Sequence, residues 1–286
     1  MKKRFYYLNG KLVPAEEASL KVNDLAILRG FGIFDFFLFM ERVPLFFEDY
    51  LDRFYNSAEK LNLKVPFDRI ALKEQVYELI RINEKENGAI RFVMTGGYTQ
   101  DSYTPIEPNL IVMHHDLKPS PQQLYTEGAK LMPYAYHRDL PEVKTTNYAM
   151  GIRLIPQLKA VGAVEPLYHQ DGVIHEAVRS NFYIIDQNDK VITTDEEILY
   201  GITRKNVLRA IDGHFRVEKR PMRLEELATA KEAFLTGSNK GVMPVVAVGD
   251  TVFGDGKPGP VVQRISDLFK QYRADYIQAQ QAKMVS

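Results

Sequence analysis

The chain has 286 residues, 45% hydrophobic and 26% charged, with 37 Lys and Arg against 37 Asp and Glu. That length suits one large domain or two modest ones with buried cores, and the zero net charge recommends neither nucleic acid nor an anionic membrane as partner. The absence of cysteine excludes disulfides, thiol nucleophiles and thiolate metal sites, and leaves the redox compartment open.

Lys2-Lys3-Arg4 is followed by polar and turn residues instead of an apolar core, so no signal peptide is expected. With no long apolar run to span a bilayer, a cytoplasmic protein is expected. Residues 6–8 and 11–13 flank Asn9-Gly10 and predict a hairpin with a two-residue turn. A Phe-rich run over residues 33–39 is interrupted by Asp35. Residues 48–61 carry Leu51, Phe54, Ala58 and Leu61 at helical spacing, which sets Arg53 beside the buried face of a helix. A second amphipathic helix is predicted over 68–87, with Ile70, Val76, Leu79 and Ile80 inward. Strand-like runs at 89–94 and 109–114 follow, and residues 1–117 read as a small α+β domain. Residues 118–128, Pro-rich and polar, read as a linker. In the remaining domain, 129–286, strands are predicted at 129–136, 166–169, 181–185 and 191–193, with turn signals at Asp171-Gly172 and 186–189. Helices are predicted at 148–161, 203–211, 223–230 and 261–272. The expected architecture is α+β in two domains, the second a larger mixed sheet or barrel with peripheral helices.

Lys144 follows Pro141-Glu142-Val143 and precedes Thr145-Thr146-Asn147-Tyr148. Such small hydroxylic and amide neighbours suit an amine packed against a polar planar ligand, where a lysine withdrawn from water becomes a nucleophile or Schiff-base former. The competing reading is an ordinary solvent-facing lysine. Gly201-Ile202-Thr203-Arg204 opens a helix, whose free N–H groups and dipole favour a phosphate, and Thr203 adds a hydroxyl. Thr236-Gly237-Ser238-Asn239 ends a strand in small residues that let backbone amides reach a ligand. Arg53 supplies a planar charged fork. One at a time these are equally an N-cap, a turn and a helix-surface salt bridge, and Glu176 is equally a solvated charge at a strand end. The six histidines include no His-x-x-x-His pair, and His114 and His115 face opposite sides of a strand, so no metal site is expected. Residues 254–259 lack a phosphate-loop pattern and read as hairpin punctuation.

In their order along the chain, Asp52-Arg53 with Ser57-Ala58, Lys144, Glu176 with Ser180-Asn181, Gly201-Ile202-Thr203-Arg204 and Leu235-Thr236-Gly237-Ser238-Asn239 resemble the class IV aminotransferases. These are the fold type IV pyridoxal-phosphate enzymes, among them branched-chain aminotransferases, D-amino acid transaminases and aminodeoxychorismate lyases. The likeness runs over residues 7–272. It implies pyridoxal 5′-phosphate as cofactor, a homodimer with the site between two domains, and amino acid and 2-oxo acid substrates, with no nucleic-acid or membrane partner. By this resemblance Lys144 is the imine-forming lysine and proton carrier, Glu176 partners the ring nitrogen, and Arg53, Ile202, Thr203 and Ser238 bind the phosphate. Tyr148 matches a tyrosine that reaches the ring hydroxyl in branched-chain members. Arg179 stands where small hydroxyl residues are usual, which places an extra cation near that ring edge. Phe34 and Asn239 are assigned to the substrate.

The departures bear on substrate. The best-known D-amino acid transaminases carry an Arg-x-His carboxylate clamp in the loop after Thr95, where this chain has Asp101 and Tyr103. Arg29 and Arg91 are the other candidate cations. The segments Ile27-Leu28-Arg29-Gly30 and Pro141-Glu142-Val143-Lys144 resemble a smaller D-amino acid transaminase group in which these two positions form the clamp. For Arg91, inside a strand, an internal salt bridge is the alternative. D-Amino acids such as D-glutamate and D-alanine are the expected substrates. L-Branched-chain amino acids with 2-oxoglutarate, the lyase reaction, and a cofactor-carrying binding protein without turnover are the alternatives.

Overall fold

A computed structural model describes residues 3–285. Its contacts divide the chain into two compact units, one of Met1–Lys118, Val143–Asn147 and Tyr276–Ser286, the other of Pro119–Glu142 and Tyr148–Asp275.

Among the described residues, the first unit holds β1 (Phe5–Leu8), β2 (Lys11–Pro14), α1 (Leu25–Arg29), β3 (Gly32–Met40), β4 (Val43–Pro44), α2 (Phe47–Lys60), α3 (Arg69–Ile82), β5 (Gly88–Thr95) and β6 (Leu110–Asp116). Its strands form one antiparallel sheet in the order β2-β1-β6-β5-β3-β4. Asn9 and Gly10, both at positive φ, make the expected β1–β2 turn. Strand alternation sends Ile33, Asp35, Phe37 and Phe39 to the buried face and leaves Phe34 and Phe36 half-buried on the other. Under the buried face the Phe37 ring lies 5.1 Å from Phe47 and 5.2 Å from Tyr50 of α2, and Phe54 lies 5.2 Å from Phe92 of β5. Each fully buried ring contributes about 1.5–3 kcal/mol.

The helix expected over 68–87 ends at Ile82. The Asn83 side chain donates to Leu79 O at 2.8 Å and Phe5 O at 3.2 Å, and accepts from Phe5 N at 3.0 Å, which turns the chain out of the helix. Ile70, expected inward, is 69% exposed, and Leu72 takes its place in a stripe with Val76, Leu79 and Ile80.

The second unit holds α4 (Gln123–Thr126), β7 (Ala129–Ala135), α5 (Ala149–Arg153), α6 (Ile155–Val161), β8 (Glu165–Gln170), β9 (Val173–Ala177), β10 (Asn181–Ile185), β11 (Val191–Thr193), α7 (Ile202–Ala210), β12 (Val217–Lys219), β13 (Met222–Arg223), β14 (Glu232–Gly237), β15 (Gly241–Val248) and β16 (Thr251–Val252), followed by α8 (Pro260–Val285), whose last residues group with the first unit. Its strands run in the order β12-β11-β10-β14-β15-β7-β8-β9-β13, with β16 on β15. Pairing is mixed, parallel at β15–β7, β7–β8 and β11–β12. Phe182, Leu235, Met243 and Leu167 lie in its core, and Tyr183 stacks on Phe234 at 4.3 Å.

Four expectations change here. The helix predicted over 148–161 is two, because Pro156 has no N–H to continue a ladder and sits in the first turn of the second helix. Residues Leu224–Thr229 form a 3₁₀ turn where a helix was expected, opened by Glu226 accepting from the Arg223 N–H at 2.8 Å. Helix α8 runs 26 residues, past the expected end at 272, since Tyr276, 4.7 Å from the Phe46 ring, and the buried Ile277 extend its apolar side and good helix formers such as Ala274, Gln278, Ala279 and Lys283 carry it on. Residues 254–259 join β16 to α8 and close no hairpin.

Candidate active site

In the first unit, Lys144 lies on a segment docked along the edge of β3. Phe34 N donates to Lys144 O at 2.9 Å, Thr146 N donates to Gly32 O at 2.9 Å, and Thr145 bridges Ile33. The β-branched Thr145 and Thr146 suit this added strand. From α2, the buried Ser57 hydroxyl accepts from Lys144 N at 3.3 Å. The backbone is therefore fixed on both sides, and the Lys144 amine lies over the Phe34 ring at 4.5 Å.

Arg91 projects from β5 on the same half-buried face of the sheet. Its guanidinium lies 5.3 Å from the Phe34 ring and 5.2 Å from the Phe36 ring. Phe34 thus touches both Lys144 and Arg91. Arg29, at the end of α1, is exposed and donates to Leu28 O at 2.9 Å. Asp101 caps its own loop, accepting from Thr99 Oγ1, Tyr103 N, Thr104 N and Thr104 Oγ1. The bonds from Thr104, then Tyr103 and Thr99, hold its carboxyl well below the usual carboxylate range. Tyr103 is 78% exposed.

Arg53 sits on the buried side of α2 and meets Asp35 of β3, Nε to Oδ2 at 3.0 Å and Nη2 to Oδ1 at 2.6 Å. The Asp35 carboxylate is fully buried, so this two-point pairing both neutralises it and fixes the direction of the guanidinium fork. The salt bridge weighed for Arg53 exists, but it is interior and not on the helix surface.

In the second unit, Glu176 near the end of β9 is buried with its carboxylate held from two sides. Arg138 Nε donates to Oε1 at 2.9 Å, and Leu199 N donates to Oε2 at 3.1 Å. Arg138 also donates to Pro141 O. The pairing with Arg138 and the Leu199 N–H offsets the cost of burying this carboxylate. Leu199 is also held at its own carbonyl, in the following peptide, which accepts from Asn181 Nδ2 at 2.8 Å. Asn181 Oδ1 in turn occupies the space in front of Gly201, where a Cβ would come within 2.1 Å of it. Gly201 is the N-cap of the nine-residue α7 and has no side chain to cap the first turn. The N-terminal amides of α7, with Ile202 and the buried Thr203 hydroxyl, are therefore arranged as an anion cradle.

Ser238 and Asn239 lie in the turn after β14, Ser238 half-buried and Asn239 exposed. Tyr148 is half-buried at the start of α5. Arg179 is largely exposed, its Nε 3.4 Å from Glu165 Oε1. Sequence reasoning missed Arg138 and the role of Leu199. A cation just past the predicted strand end at 136 was the visible signal for the first. The second acts through its backbone, which no residue type announces.

Each unit carries groups of the kinds that suit pyridoxal phosphate: the first an amine seated on an aromatic face, the second a buried carboxylate and a helix N-terminus opened by glycine. Among the described residues no group of acidic, His or Cys side chains could hold a metal, and no helix is long and apolar enough to cross a membrane.

The amino-transferase class IV family model matches residues 32–248, and the chain belongs to that family. Its α+β fold is fold type IV, and aminotransferases of this class use pyridoxal 5′-phosphate. A putative branched-chain-amino-acid aminotransferase of Methanocaldococcus jannaschii is 27% identical over 278 residues, 94% of this chain and 96% of that one. A D-alanine aminotransferase of Bacillus licheniformis is 24% identical over 265 residues, 90% of this chain and 93% of that one. Among solved structures, a branched-chain amino acid aminotransferase from Escherichia coli shares the fold at a TM-score of 0.84 and 21% identity, covering 93% of this chain and 92% of that one.

Proposed function

We propose that this aminotransferase moves an amino group between a D-amino acid, such as D-glutamate or D-alanine, and a 2-oxo acid, as a cytoplasmic homodimer. The observation that carries this reading is Phe34, whose ring lies against both the Lys144 amine and the Arg91 guanidinium. A substrate reacting at the lysine finds a carboxylate partner one ring away, and Arg29 is the second cation of that clamp. The loop position used for the clamp elsewhere holds Asp101, an anion that would repel a carboxylate.

Bound pyridoxal phosphate supplies an electron sink that acidifies the substrate α-carbon. Lys144 Nζ would take the α-proton as base and return it as acid to the cofactor carbon across the amino nitrogen, two atoms along. Glu176, paired with Arg138, would hold the proton on the ring nitrogen. Thr203, Ser238 and the Ile202 amide bind the phosphate with Arg53, which Asp35 orients. Tyr148 and Arg179 serve the ring hydroxyl edge, and Asn239 serves the substrate. The lysine's two duties need one position, which the β3 edge gives it.

Single-turnover mixing of the holoenzyme with the D and L forms of alanine, glutamate and leucine, followed by cofactor absorbance, tests the assignment. D-Glutamate and D-alanine should react faster than L-leucine. The name of the Methanocaldococcus jannaschii relative favours a second reading, a branched-chain enzyme. Faster conversion by L-leucine than by every D-amino acid would put it in place of the first.

A further inference from the structure

Glu165 opens β8 and is fully buried. An isolated carboxylate there would be strongly disfavoured, so its partners define what it does. Lys240 Nζ donates to Oε1, Arg179 N donates to Oε2 at 3.1 Å, Ser180 Oγ lies 3.5 Å from Oε1, and Arg179 Nε lies 3.4 Å from Oε1. Burial pushes the carboxyl up, but Lys240 and Arg179 outweigh it and hold Glu165 below the usual range.

The partners come from two different turns. Arg179 and Ser180 lie between β9 and β10, three and four residues past Glu176. Lys240 closes the turn after β14 that carries Ser238 and Asn239, its N–H donating to Gly237 O at 3.0 Å. Lys240 Nζ also donates to Ser180 Oγ at 2.8 Å, and its carbonyl accepts from Tyr125 at 2.8 Å. The turns touch directly, since a Cβ on Gly237 would lie 3.2 Å from Arg179 O. Neither Glu165 nor Lys240 has a part in the chemistry described above.

We propose that Glu165 is a positioning residue, which with Lys240 clamps the 179–181 turn to the 238–240 turn and so sets the spacing between the ring-nitrogen end and the phosphate end of the cofactor cradle. This rests on the assignment of Glu176 and Ser238 to the cofactor. Lys240 is the movable half of the clamp, a point charge on a flexible stem that reaches both loops at once. Asn181, in the first turn, extends the same frame to Leu199 and Gly201.

The test compares the wild-type protein with Glu165→Gln, Lys240→Met and the double variant. It reads the apparent Kd for pyridoxal phosphate added to the apoenzyme, the ³¹P resonance of the bound cofactor, and the apoenzyme Tm. Each single variant should weaken cofactor binding tenfold or more and shift the resonance. The double variant should regain Tm, since no lone charge remains, without regaining affinity, since nothing ties the turns. Unchanged affinity in the variants, or affinity that returns together with Tm, would make the pair structural only and overturn the proposal. If Glu165→Gln does not fold, Lys240→Met carries the comparison, because Glu165 keeps its contacts to Arg179 and Ser180. A wild-type protein that takes up no cofactor, or whose cofactor absorbance is untouched by Lys144→Ala, would overturn the site assignment and this proposal with it. Normal uptake together with indifference to the Glu165 and Lys240 variants would overturn this proposal alone.

Discussion

Replacing His114 should make the protein less sensitive to mild acid. His114 lies on β6, 1% exposed, with its ring 5.5 Å from Phe39 and neither ring nitrogen hydrogen-bonded. Burial, with Arg4, His115 and Lys85 adding to it and Asp116 opposing, pushes its pKa from 6.5 down to about 4. Folding thus favours the neutral ring. Above pH 6.5 this histidine leaves stability intact, and as pH falls from 6.5 towards 4 the unfolded chain binds a proton that the folded one refuses. The gap between 6.5 and about 4, at about 1.36 kcal/mol per pH unit, caps the loss at about 3 kcal/mol. At pH 5 the same linkage gives about 2 kcal/mol, and at pH 7.5 about 0.1 kcal/mol or less. Urea unfolding of wild type and His114→Leu at pH 7.5 and pH 5 measures it, each protein serving as its own reference so that lost packing cancels. The variant should lose about 2 kcal/mol less than wild type between the two pH values. Equal losses in both proteins would refute the reasoning.

Lys144→Ala should abolish transamination while the secondary structure and Tm stay near wild type, because the segment is held on β3 by backbone bonds. Substantial steady-state turnover by the purified variant would remove the lysine from the mechanism. Arg53→Ala should destabilise the fold by about 3–5 kcal/mol by stranding Asp35, a loss largely relieved in the Asp35→Asn, Arg53→Ala double variant, whereas weakened cofactor affinity should persist in both. Chemical denaturation and cofactor titration separate the two effects. Arg138→Met should slow the half-reaction more than tenfold while changing cofactor affinity little, with partial recovery in Arg138→Lys. A Kd for cofactor that rises as steeply as the rate falls would place Arg138 in binding instead.

The local parts of the fold were readable in the sequence. Asn9-Gly10 announces its turn, and the spacing of Leu51, Phe54 and Ala58 gives α2. What depends on distant partners was not. Asp35 stands out as a charge in an apolar run, yet only the structure supplies Arg53 as its partner. Arg138 and Leu199 reach Glu176 from 38 and 23 residues away, one through its guanidinium and the other through a peptide N–H. The break at Leu154 was written in Pro156, but periodicity on both sides masked it. The 3₁₀ turn at Leu224–Thr229 shares its composition with a helix and differs only in which carbonyl each N–H reaches.

The docking of Val143–Asn147 on β3 has a consequence for the order in which the chain can assemble. Strand β3 is made early in synthesis, but near Gly32 and Phe34 its outer edge is completed by Lys144 and Thr146, and β4 covers only Phe39 and Met40. A ribosome that has released the first 118 residues has delivered the aromatic layer and Arg91, but not the amine that sits beside them. That sheet edge is finished only when residue 147 has emerged and threaded back. Lys144 is thus fitted late to the body that carries it, and a nascent or prematurely ended chain holds Phe34 and Arg91 with no amine beside them.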